Sequence, residues 1–319
     1  MKKLWESRVK HRLFKVLSVL AASMLVAIVL VGCSSENAPG AITDHAGRQL
    51  NVSEIPNRIV SLIPSHTEIV FALGLGDKVV AVDDYSDYPP AATSKAKVGS
   101  TLSGLSTEAI VIAEPDLILA DISAVELGVV DTLTKLLPKT VVVVVKGTSV
   151  ASFQDVYESI ELIGKVTGAS KNAEQIISDM KARVKAVTDK TGGLTTANKP
   201  RTVYIIWPEP MYVYGGHAIG SALIEAAGGV NIFAENQGDA VQLEELISRN
   251  PQIILASASE AMGDYAYQFA LTDTRLDTTE AKINGAIYGM NDDFTGRPGP
   301  RLVEGLEQMA KLLHPELFT

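Results

Sequence analysis

The sequence predicts an α/β protein with two Rossmann-like lobes, each built around a central parallel sheet, joined by one long helix. Short apolar strands alternate with helices before residue 150 and again after residue 200. Between them, residues 152–190 contain no proline and place apolar side chains at helical spacing. Alternating strands and helices indicate βαβ units with parallel strands. We therefore expect α/β lobes at 41–149 and 200–319 and an interlobe helix at 150–192.

The first lobe begins with short apolar segments of strand length. Five consecutive valines at Val141–Val145 exclude a half-exposed strand and indicate a central strand that is covered on both faces. One helix is expected from Ser65 to Leu73, ended by Gly74, and another over Glu126–Leu137. The predicted strands are Arg58–Ile63, Val79–Val82, Leu117–Ala120 and Val141–Val145.

The connecting segment and the second lobe show the same kinds of pattern. Apolar residues such as Ile160, Ile163 and Ile177 recur at helical spacing, and Gly164 or Gly168 would divide the helix in two. A turn-rich stretch, TGGLTTANKP, ends this segment. The strands expected beyond it are Thr202–Ile206, Ile253–Ala256 and Ala286–Tyr288, and the helices are Ile219–Ala227, Leu243–Arg249 and Pro300–Leu313.

Cys33 is the only cysteine of the chain, and it follows an export signal. Six basic residues precede an apolar run over 16–31, and the run ends in LVGC, which resembles the bacterial lipobox. A basic region, an apolar region and small residues at a cleavage point are typical of a secretory signal. We therefore expect a lipoprotein signal peptide at 1–32, lipidation of Cys33 and a linker over 33–40. A buried cysteine and a plain transmembrane anchor are the alternatives.

The charge balance argues against several classes of partner. The chain has 28 lysines and arginines against 37 aspartates and glutamates, a net charge of −9. Removing residues 1–32 takes away six bases and one acid, which leaves 22 against 36 and a net charge of −14. Nucleic acids and anionic lipid surfaces need clustered lysine and arginine. We expect no nucleic-acid partner, and a membrane attachment that depends on the acyl chains.

Two segments share a spacing that places one glutamate in each lobe. Glu108 precedes Pro115 by seven residues, as Glu244 precedes Pro251, and an apolar strand ending in Leu-Ala follows each proline. The helix dipole favours a carboxylate in the first turn of a helix, so ordinary capping accounts for the pair. The alternative is that each lobe offers one exposed glutamate at an equivalent place.

Signals of catalysis or of a metal centre are weak. The chain contains no GxSxG, P-loop, HExxH or CxxC motif. The histidines at 45, 66, 217 and 314 show no paired ligand spacing, so we expect no zinc or manganese site and no resident cofactor. A lipid-anchored enzyme that uses the same cleft is the alternative of another class, although no paired nucleophile and base mark it.

Candidate ligand residues collect after the predicted strands, because ligands of open α/β sheets bind at the carboxyl ends of strands. Aromatic rings there give a large contact area, and an arginine clamps anionic or amide-bearing groups. Packing is the competing explanation, in particular for Trp207, which lies just beyond a buried strand, and for His66 at the start of a helix. The candidate loops are Pro64-Ser65-His66, Asp83 to Pro90, Thr101 to Gly104, Trp207 to His217 and Asp292 to Arg301.

Five stretches of the chain carry a resemblance to a known family. They are VSLIPSHTEIVFALGLGDKVVAV, YSDYPP, STEAIVIAEPDLILA, GSALIEAAGGVNIF and RPGPRLVEGLEQMAKLLHPELF. In combination they resemble the substrate-binding proteins of ABC importers for vitamin B12, iron-siderophores and haem, from about residue 41 to the C-terminus. YSDYPP is most similar to the vitamin B12-binding member. The resemblance implies two lobes bridged by a rigid helix, small closure on the ligand and no catalysis.

The same resemblance implies a set of ligand residues. Tyr85 matches an aromatic residue of the vitamin B12 pocket, Tyr212 falls at a pocket phenylalanine, and a cleft loop begins at Pro64. Asp292 and Arg297 resemble an acid–arginine pair, in a loop that is one residue longer here. Trp207 and Tyr214, from the aromatic loop Trp207 to His217, are added to these. The predicted ligand residues are Pro64, Ser65, His66, Tyr85, Leu102, Trp207, Tyr212, Tyr214, Asp292 and Arg297.

The pocket departs from the vitamin B12-binding pattern at three places. Two pocket tryptophans are missing from this chain. Leu102 takes the position of one, and the position of the other falls near Gly238 in a polar loop. His66 replaces an asparagine, which raises the hypothesis that its imidazole approaches the metal of the ligand. A pocket without the two indoles holds a corrinoid differently or holds another chelate.

The sequence therefore predicts a lipid-anchored, extracytoplasmic solute-binding protein that captures cobalamin between its lobes and delivers it to an ABC permease with its ATPase. Ferric siderophore or haem is the second choice of ligand. The resemblance gives Glu108 and Glu244 a role in docking onto arginines of the permease. We expect the protein to be a monomer.

Overall fold

The structure is a computed structural model that describes residues 40–259 and 263–318. These residues belong to one compact unit that begins at Ala38. The predicted signal peptide and Cys33 lie outside the described residues. Within the described ranges, none of the helices combines the length and apolar character that crossing a membrane requires.

The first lobe is built on a five-stranded parallel sheet with the strand order β5-β4-β3-β8-β9. Two antiparallel pairs, β1-β2 and β6-β7, accompany it. The strands are β1 Gly40–Thr43, β2 Gln49–Val52, β3 Ile59–Ser61, β4 Val79–Val82, β5 Ala96–Lys97, β6 Gly99–Ser100, β7 Gly104–Leu105, β8 Leu117–Ala120 and β9 Val141–Val144. The helices are α1 Pro64–Ala72, α2 Thr107–Ile112, α3 Ile122–Glu126 and α4 Val129–Leu136.

The second lobe has its own five-stranded sheet. Strands β12, β10, β13 and β14 are parallel, and β11 runs antiparallel to β10 at the edge. The strands are β10 Arg201–Pro208, β11 Met211–Val213, β12 Val230–Asn231, β13 Ile253–Ser257 and β14 Ile287–Met290. The helices are α7 Ile219–Ala226, α8 Leu243–Arg249, α9 Tyr265–Thr272, α10 Glu280–Ile283 and α11 Leu302–Leu313.

Both sheets are covered on both faces, which the run of valines predicted for β9. The same run was predicted to form a central strand, and that prediction is wrong, because β9 is the edge strand of the first sheet. Residues 44–48 cover its outer side, where the His45 N–H donates to the Val144 carbonyl at 3.0 Å. In β9, Val143 packs into one hydrophobic cluster while its neighbour Val142 packs into another on the opposite face. In β13, Leu255 and Ile254 alternate in the same way. One of these clusters is shared by the two lobes and the helices that connect them. The predicted fold class, two α/β lobes with parallel sheets, is confirmed.

The connecting segment contains two helices rather than one uninterrupted helix. They are α5 Phe153–Val166 and α6 Ser170–Thr191. Gly168 adopts φ +74°, a left-handed conformation that terminates helices and that glycine adopts at no steric cost. A Cβ on Gly164 would lie 2.5 Å from the Cβ of Ala173, so glycine lets the two helices pack closely.

Helix α6 is the element that spans from one lobe to the other. Near its start, the Asn172 amide donates a hydrogen bond of 2.8 Å to the Leu73 carbonyl of the first lobe. At its end, the Thr191 hydroxyl donates to the Ala226 carbonyl of the second lobe at 2.9 Å. A helix of 22 residues is about 33 Å long, enough to span a small domain.

Candidate functional site

The loops that follow the parallel strands of the two lobes meet at the lobe interface. Loop 83–89 follows β4 and helix α1 follows β3, both in the first lobe. Loop 291–301 follows β14 in the second lobe. Two of its arginines, Arg297 and Arg301, bond to Asp87 and Glu68 across the interface. The carboxyl ends of both sheets therefore face a common cleft, the usual place for a ligand in open α/β folds.

The Glu68–Arg301 pair lies at the centre of this interface. Arg301 Nε and Nη2 donate to the two carboxylate oxygens of Glu68 at 2.8 and 2.5 Å. The Glu68 side chain is 2% exposed and that of Arg301 is 12% exposed. The guanidinium also stacks on Tyr88, 3.6 Å from the ring centroid, and faces Phe294 at 5.2 Å. Burial raises the pKa of Glu68, while the hydrogen bonds from Arg301 act in the opposite direction. Removing one partner of such a buried pair costs about 3–5 kcal/mol.

A second ion pair, nearer to solvent, joins Arg297 to Asp87. Arg297 makes a bidentate contact with Asp87, in which Nη2 donates to Oδ2 at 3.1 Å. The Asp87 side chain is 43% exposed, whereas that of Arg297 is 13% exposed, so water reaches the pair from the Asp87 side. The hydrogen bond from Arg297 lowers the pKa of Asp87. Water can therefore compete with Arg297 for Asp87, while Arg297 keeps a second carboxylate, Asp293, within reach.

The acid that pairs with Arg297 within its own loop is Asp293, not Asp292 as the resemblance suggested. Arg297 Nη2 lies 2.9 Å from Asp293 Oδ1, four residues earlier. Asp292 instead turns inward, with Oδ1 buried and without a hydrogen-bond partner among the described residues.

A buried hydrogen-bond network supports loop 83–89. The Ser86 hydroxyl lies between the Asp83 carboxylate and the Thr67 hydroxyl, 2.7 Å from the latter. Thr67 in turn donates to the Ser61 hydroxyl at 2.9 Å. Lys97 Nζ donates to the carbonyl oxygens of Asp83 and Ser86 at 3.0 and 2.8 Å. Burial raises the pKa of Asp83. The network fixes the backbone that carries the solvent-facing side chains of this loop.

Tyr85 and Leu102 are accessible residues of the first lobe. Tyr85 is 47% exposed, and its backbone N–H donates to the Asp83 carboxylate at 3.0 Å. Leu102 lies in the turn between β6 and β7 and is 85% exposed. Both side chains are free to contact a large ligand.

Trp207 and Tyr212 are brought together by the β10-β11 hairpin, in which they are directly paired. The Trp207 indole donates to the Glu209 carbonyl at 3.1 Å, and its ring lies 5.8 Å from the ring of Tyr265. Tyr212 and Tyr265 are exposed. The second lobe therefore contributes three neighbouring aromatic side chains, of which Tyr265 was not predicted.

Tyr214 has a different environment from the other predicted aromatic residues. It is buried, and its ring centroid lies 4.7 Å from that of Tyr204, whose hydroxyl is 2.9 Å from the Thr295 hydroxyl. A Cβ on Gly220 would lie 1.9 Å from the Tyr214 ring, so glycine makes room for the ring. Burial raises the pKa of Tyr214 far above its usual value. In this structure Tyr214 packs beneath loop 291–301 instead of facing solvent.

Residues 64–66 begin helix α1 at the lobe interface. Pro64 is half-buried, and Ser65 and His66 are buried. His66 Nε2 donates to the Lys146 carbonyl at 3.3 Å, which leaves Nδ1 without a hydrogen-bond partner in the described part of the chain. The imidazole is fully enclosed, so in this conformation it has no access to a ligand in the cleft. The hypothesis that His66 approaches the metal of the ligand therefore requires a rearrangement.

Because His66 is buried, we expect the folded protein to lose stability in acid. Burial lowers the pKa of His66 to about 4, whereas an unfolded histidine titrates near 6.5. Between these values the unfolded chain binds more protons, so the free energy of unfolding falls as the pH falls. We expect His66 to contribute a loss of about 2 kcal/mol between pH 7 and pH 5.

Urea denaturation at the two pH values checks this contribution. His66→Asn is expected to show a correspondingly smaller loss than the wild type. The exposed His217 supplies the control, because His217→Asn should keep the wild-type dependence. Equal pH dependence in the wild type and the His66 variant would contradict the account.

Glu108 and Glu244 occupy equivalent places, one in each lobe. Each lies in the first turn of its helix, α2 or α8, and each is exposed. Ser106 caps α2 by accepting from the Ala109 N–H at 3.1 Å, so Glu108 is not needed as the cap. Within the described ranges neither glutamate side chain takes part in a hydrogen bond or ion pair. Both carboxylates are available to a partner.

Five further residues of the cleft were missed by the sequence analysis. Asp87 and Tyr88 belong to the acidic and aromatic run that was recognised as a loop, so their neighbourhood was predicted but not their role. Arg301 falls within a recognised loop as well. Nothing in the local sequence distinguishes Glu68 or Tyr265 from ordinary helical residues. The missed residues are Glu68, Asp87, Tyr88, Tyr265 and Arg301.

Other surface features do not coincide with the predicted ligand residues. A depression of about 670 Å³ lies between α5 and α6, with charged walls that include Glu161, Lys165, Glu174 and Lys181. Its mixed charges and its distance from the strand ends give it no chemistry in common with the cleft. Across 40–259 and 263–318, histidine and acidic side chains nowhere form a group of three that could hold a metal ion.

Two α/β lobes, a bridging helix and loops that meet at the carboxyl ends of both sheets are the architecture of a two-lobed binding protein. The chain belongs to the periplasmic binding protein family, which matches residues 59–294. The suspected family is thereby confirmed.

Two relatives and two solved structures illustrate this membership. An ABC transporter substrate-binding lipoprotein of Bacillus subtilis is 30% identical over 315 residues, which cover 94% of this chain and 98% of that protein. The vitamin B12-binding protein of Yersinia pestis is 26% identical over 262 residues, covering 81% of this chain and 87% of that protein. The periplasmic vitamin B12-binding protein of Vibrio cholerae has a TM-score of 0.67 at 27% identity, covering 82% and 98% of the two chains. A periplasmic haem-binding protein of Pseudomonas aeruginosa shares the fold, with a TM-score of 0.71 at 23% identity over 82% of this chain and 93% of that chain.

Proposed function

We propose that this protein is the solute-binding component of an ABC importer, and that it captures a corrinoid between its two lobes. The observation that supports the proposal best is the set of accessible aromatic side chains at the carboxyl ends of both sheets, next to two largely buried arginines. Tyr85 is exposed in the loop after β4 of the first lobe, and Tyr212 is exposed beside Trp207 at the end of β10 in the second. Rings of this kind provide broad, flat contact with a macrocycle. The vitamin B12-binding relatives support the choice of ligand.

Haem or a ferric siderophore is the second candidate, and two observations favour it. Leu102 is exposed where the resemblance expects an indole, so the first lobe offers less aromatic area than a vitamin B12 site. Arg297 stands at the interface with an exchangeable carboxylate partner. An arginine in that place suits the carboxylates of haem, because the guanidinium fork matches a carboxylate.

The proposed role includes a membrane anchor and a transporter. Cys33 would carry the lipid that holds the protein on the extracytoplasmic face of the membrane. Glu108 and Glu244 would meet arginines of the permease, one from each lobe. The hydrophobic cluster that continues through both lobes and α6 favours small closure over a wide hinge motion.

An enzyme in the same cleft finds little support in the geometry. The short contact between Ser86 and Asp83 is the kind of pair that activates a nucleophile. Both residues are buried, however, and they are bound to Thr67 and Lys97. This arrangement suits a fixed loop rather than a reacting hydroxyl.

Calorimetric titration of the protein with cobalamin, haem and a ferric hydroxamate tests the proposal. We expect tight one-to-one binding of cobalamin. Binding of haem or the hydroxamate alone would keep the transport role and change its cargo. If none of the three bound, the proposed ligand class would be wrong.

A further inference from the structure

Loop 291–301 of the second lobe is seated directly on helix α1 of the first. A Cβ on Gly299 would lie 3.7 Å from the Ser65 carbonyl oxygen and 3.8 Å from the Glu68 Cβ, so the loop backbone rests against the first turns of this helix. The same loop carries Arg297 and Arg301. The position of both arginines therefore depends on how the loop meets α1.

Among the described residues of the first lobe, Glu68 is the acidic side chain that forms ion pairs with both arginines. It accepts two hydrogen bonds from Arg301 and lies 3.8 Å from Arg297 Nη1. Its carboxylate is almost completely enclosed, so neither water nor salt can replace the arginines. Tyr88 stacks on the opposite side of the contact, at 3.6 Å from Arg301. The nitrogens of the Arg301 guanidinium are thus bound by Glu68, and its planar face is covered by Tyr88.

Asp87 has a different relation to the same loop. It bonds to Arg297 but not to Arg301, and nearly half of its side chain is exposed. Asp293, which also contacts Arg297, belongs to the loop itself and cannot join the lobes. Of the three carboxylates around these arginines, Glu68 alone is both buried and on the opposite lobe.

We propose that Glu68 is a positioning residue: it seats loop 291–301 on the first lobe through Arg301 and thereby presents Arg297 to the ligand cleft. Arg301 remains bound to Glu68, whereas Arg297 exchanges Asp87 for a carboxylate, phosphate or amide oxygen of the ligand. The role of Arg297 rests on the proposed function. The seating of the loop does not, because it is a property of the protein alone.

Hydrogen–deuterium exchange of the full-length protein tests the seating. Glu68→Gln keeps the shape of the side chain and removes its charge. We expect amide exchange in 291–301 to rise by about tenfold or more, because the loop lifts from α1 more often. Exchange in strands β8 and β13 should stay at the wild-type rate. Asp87→Asn is the matched control, since it makes the same chemical change on the same face of the cleft, and it should raise exchange by no more than about twofold.

If Glu68→Gln fails to fold, Arg301→Lys provides a second test of the same contact. Lysine keeps the charge but lacks the planar fork and stacks less well, so the same local rise in exchange is expected. Equal effects of the Glu68 and Asp87 variants would overturn the proposal, as would wild-type exchange in both Glu68→Gln and Arg301→Lys. A rise spread over β8 and β13 in both of these variants would show a merely structural role and would overturn it too.

Titrations of the same variants with cobalamin and haem test the presentation of Arg297. For each probe that the wild type binds, Glu68→Gln should weaken binding by about tenfold or more. Glu54→Gln makes the same chemical change at an exposed glutamate that precedes β3, and it should not weaken binding. Unchanged affinity in Glu68→Gln would contradict the positioning role. If the wild type bound neither probe, the proposed function would fail, and the exchange rates would still decide whether Glu68 seats the loop.

Discussion

Replacing both Tyr85 and Tyr212 by alanine is expected to lower the affinity for the ligand by about 100-fold, because each lobe loses its accessible aromatic contact. A ring that stacks on a macrocycle contributes about 1.5 kcal/mol, so two rings contribute about 3 kcal/mol. Both side chains are exposed, so the fold should be unaffected. Calorimetry with cobalamin and haem measures the change.

Phenylalanine at the same two positions is the control for this experiment. Tyr85→Phe and Tyr212→Phe keep the ring faces and remove only the hydroxyl groups, so the affinity should stay within about threefold of the wild type. Leu136→Ala, at the opposite end of the first sheet, should have no effect. If the alanine variant bound as tightly as the wild type, these rings would not line the ligand site.

Charge reversal of Glu108 and Glu244 is expected to abolish delivery to the permease while leaving ligand affinity unchanged. Arginine at both positions would face the arginines proposed for the permease, and like charges brought together at an interface cost several kcal/mol. Uptake of the ligand in cells or in reconstituted vesicles should fall by about tenfold or more.

A second pair of exposed glutamates provides the matched control for docking. Glu161 in α5 and Glu225 in α7 belong to different parts of the chain and are exposed, but neither lies in the first turn of its helix. Reversal of these two charges should leave uptake near the wild-type rate. Equal loss of uptake in both double variants would point to net charge instead of a specific docking surface.

The fold was largely predictable because its strands are short, apolar and covered on both faces. Val79–Val82 and Leu117–Ala120 have the predicted bounds, as has the helix over Leu243–Arg249. The helix predicted over Glu126–Leu137 is instead two helices, α3 and α4, with Gly128 at φ +69° between them. The hairpin β1-β2 and helix α9 were not predicted. Their stability depends on tertiary packing, and their local patterns are weak.

The site was predictable at the level of loops but not of individual contacts. The rule that ligands collect at the carboxyl ends of strands found loops 83–89 and 291–301, which pair across the lobe interface. The rule did not find Glu68, because a glutamate inside a helix usually faces solvent. Its role is visible only from its contact with Arg301, which lies 233 residues away in the sequence. Tyr214 and His66 were predicted to face the ligand and are buried. The sequence pattern predicts that a residue lies in a loop. Whether its side chain is buried depends on the backbone conformation, which the pattern does not determine.

Fluorescence of Trp207 during ligand titration is the most direct test of the central claim. The chain has two tryptophans, Trp5 and Trp207, so a protein that begins at Ser34 reports from the cleft alone. Corrinoids and haem absorb where tryptophan emits, and we expect either one to quench Trp207 in a saturable, one-to-one manner. Binding detected by calorimetry without a change in Trp207 emission would place the ligand outside the cleft and contradict the account.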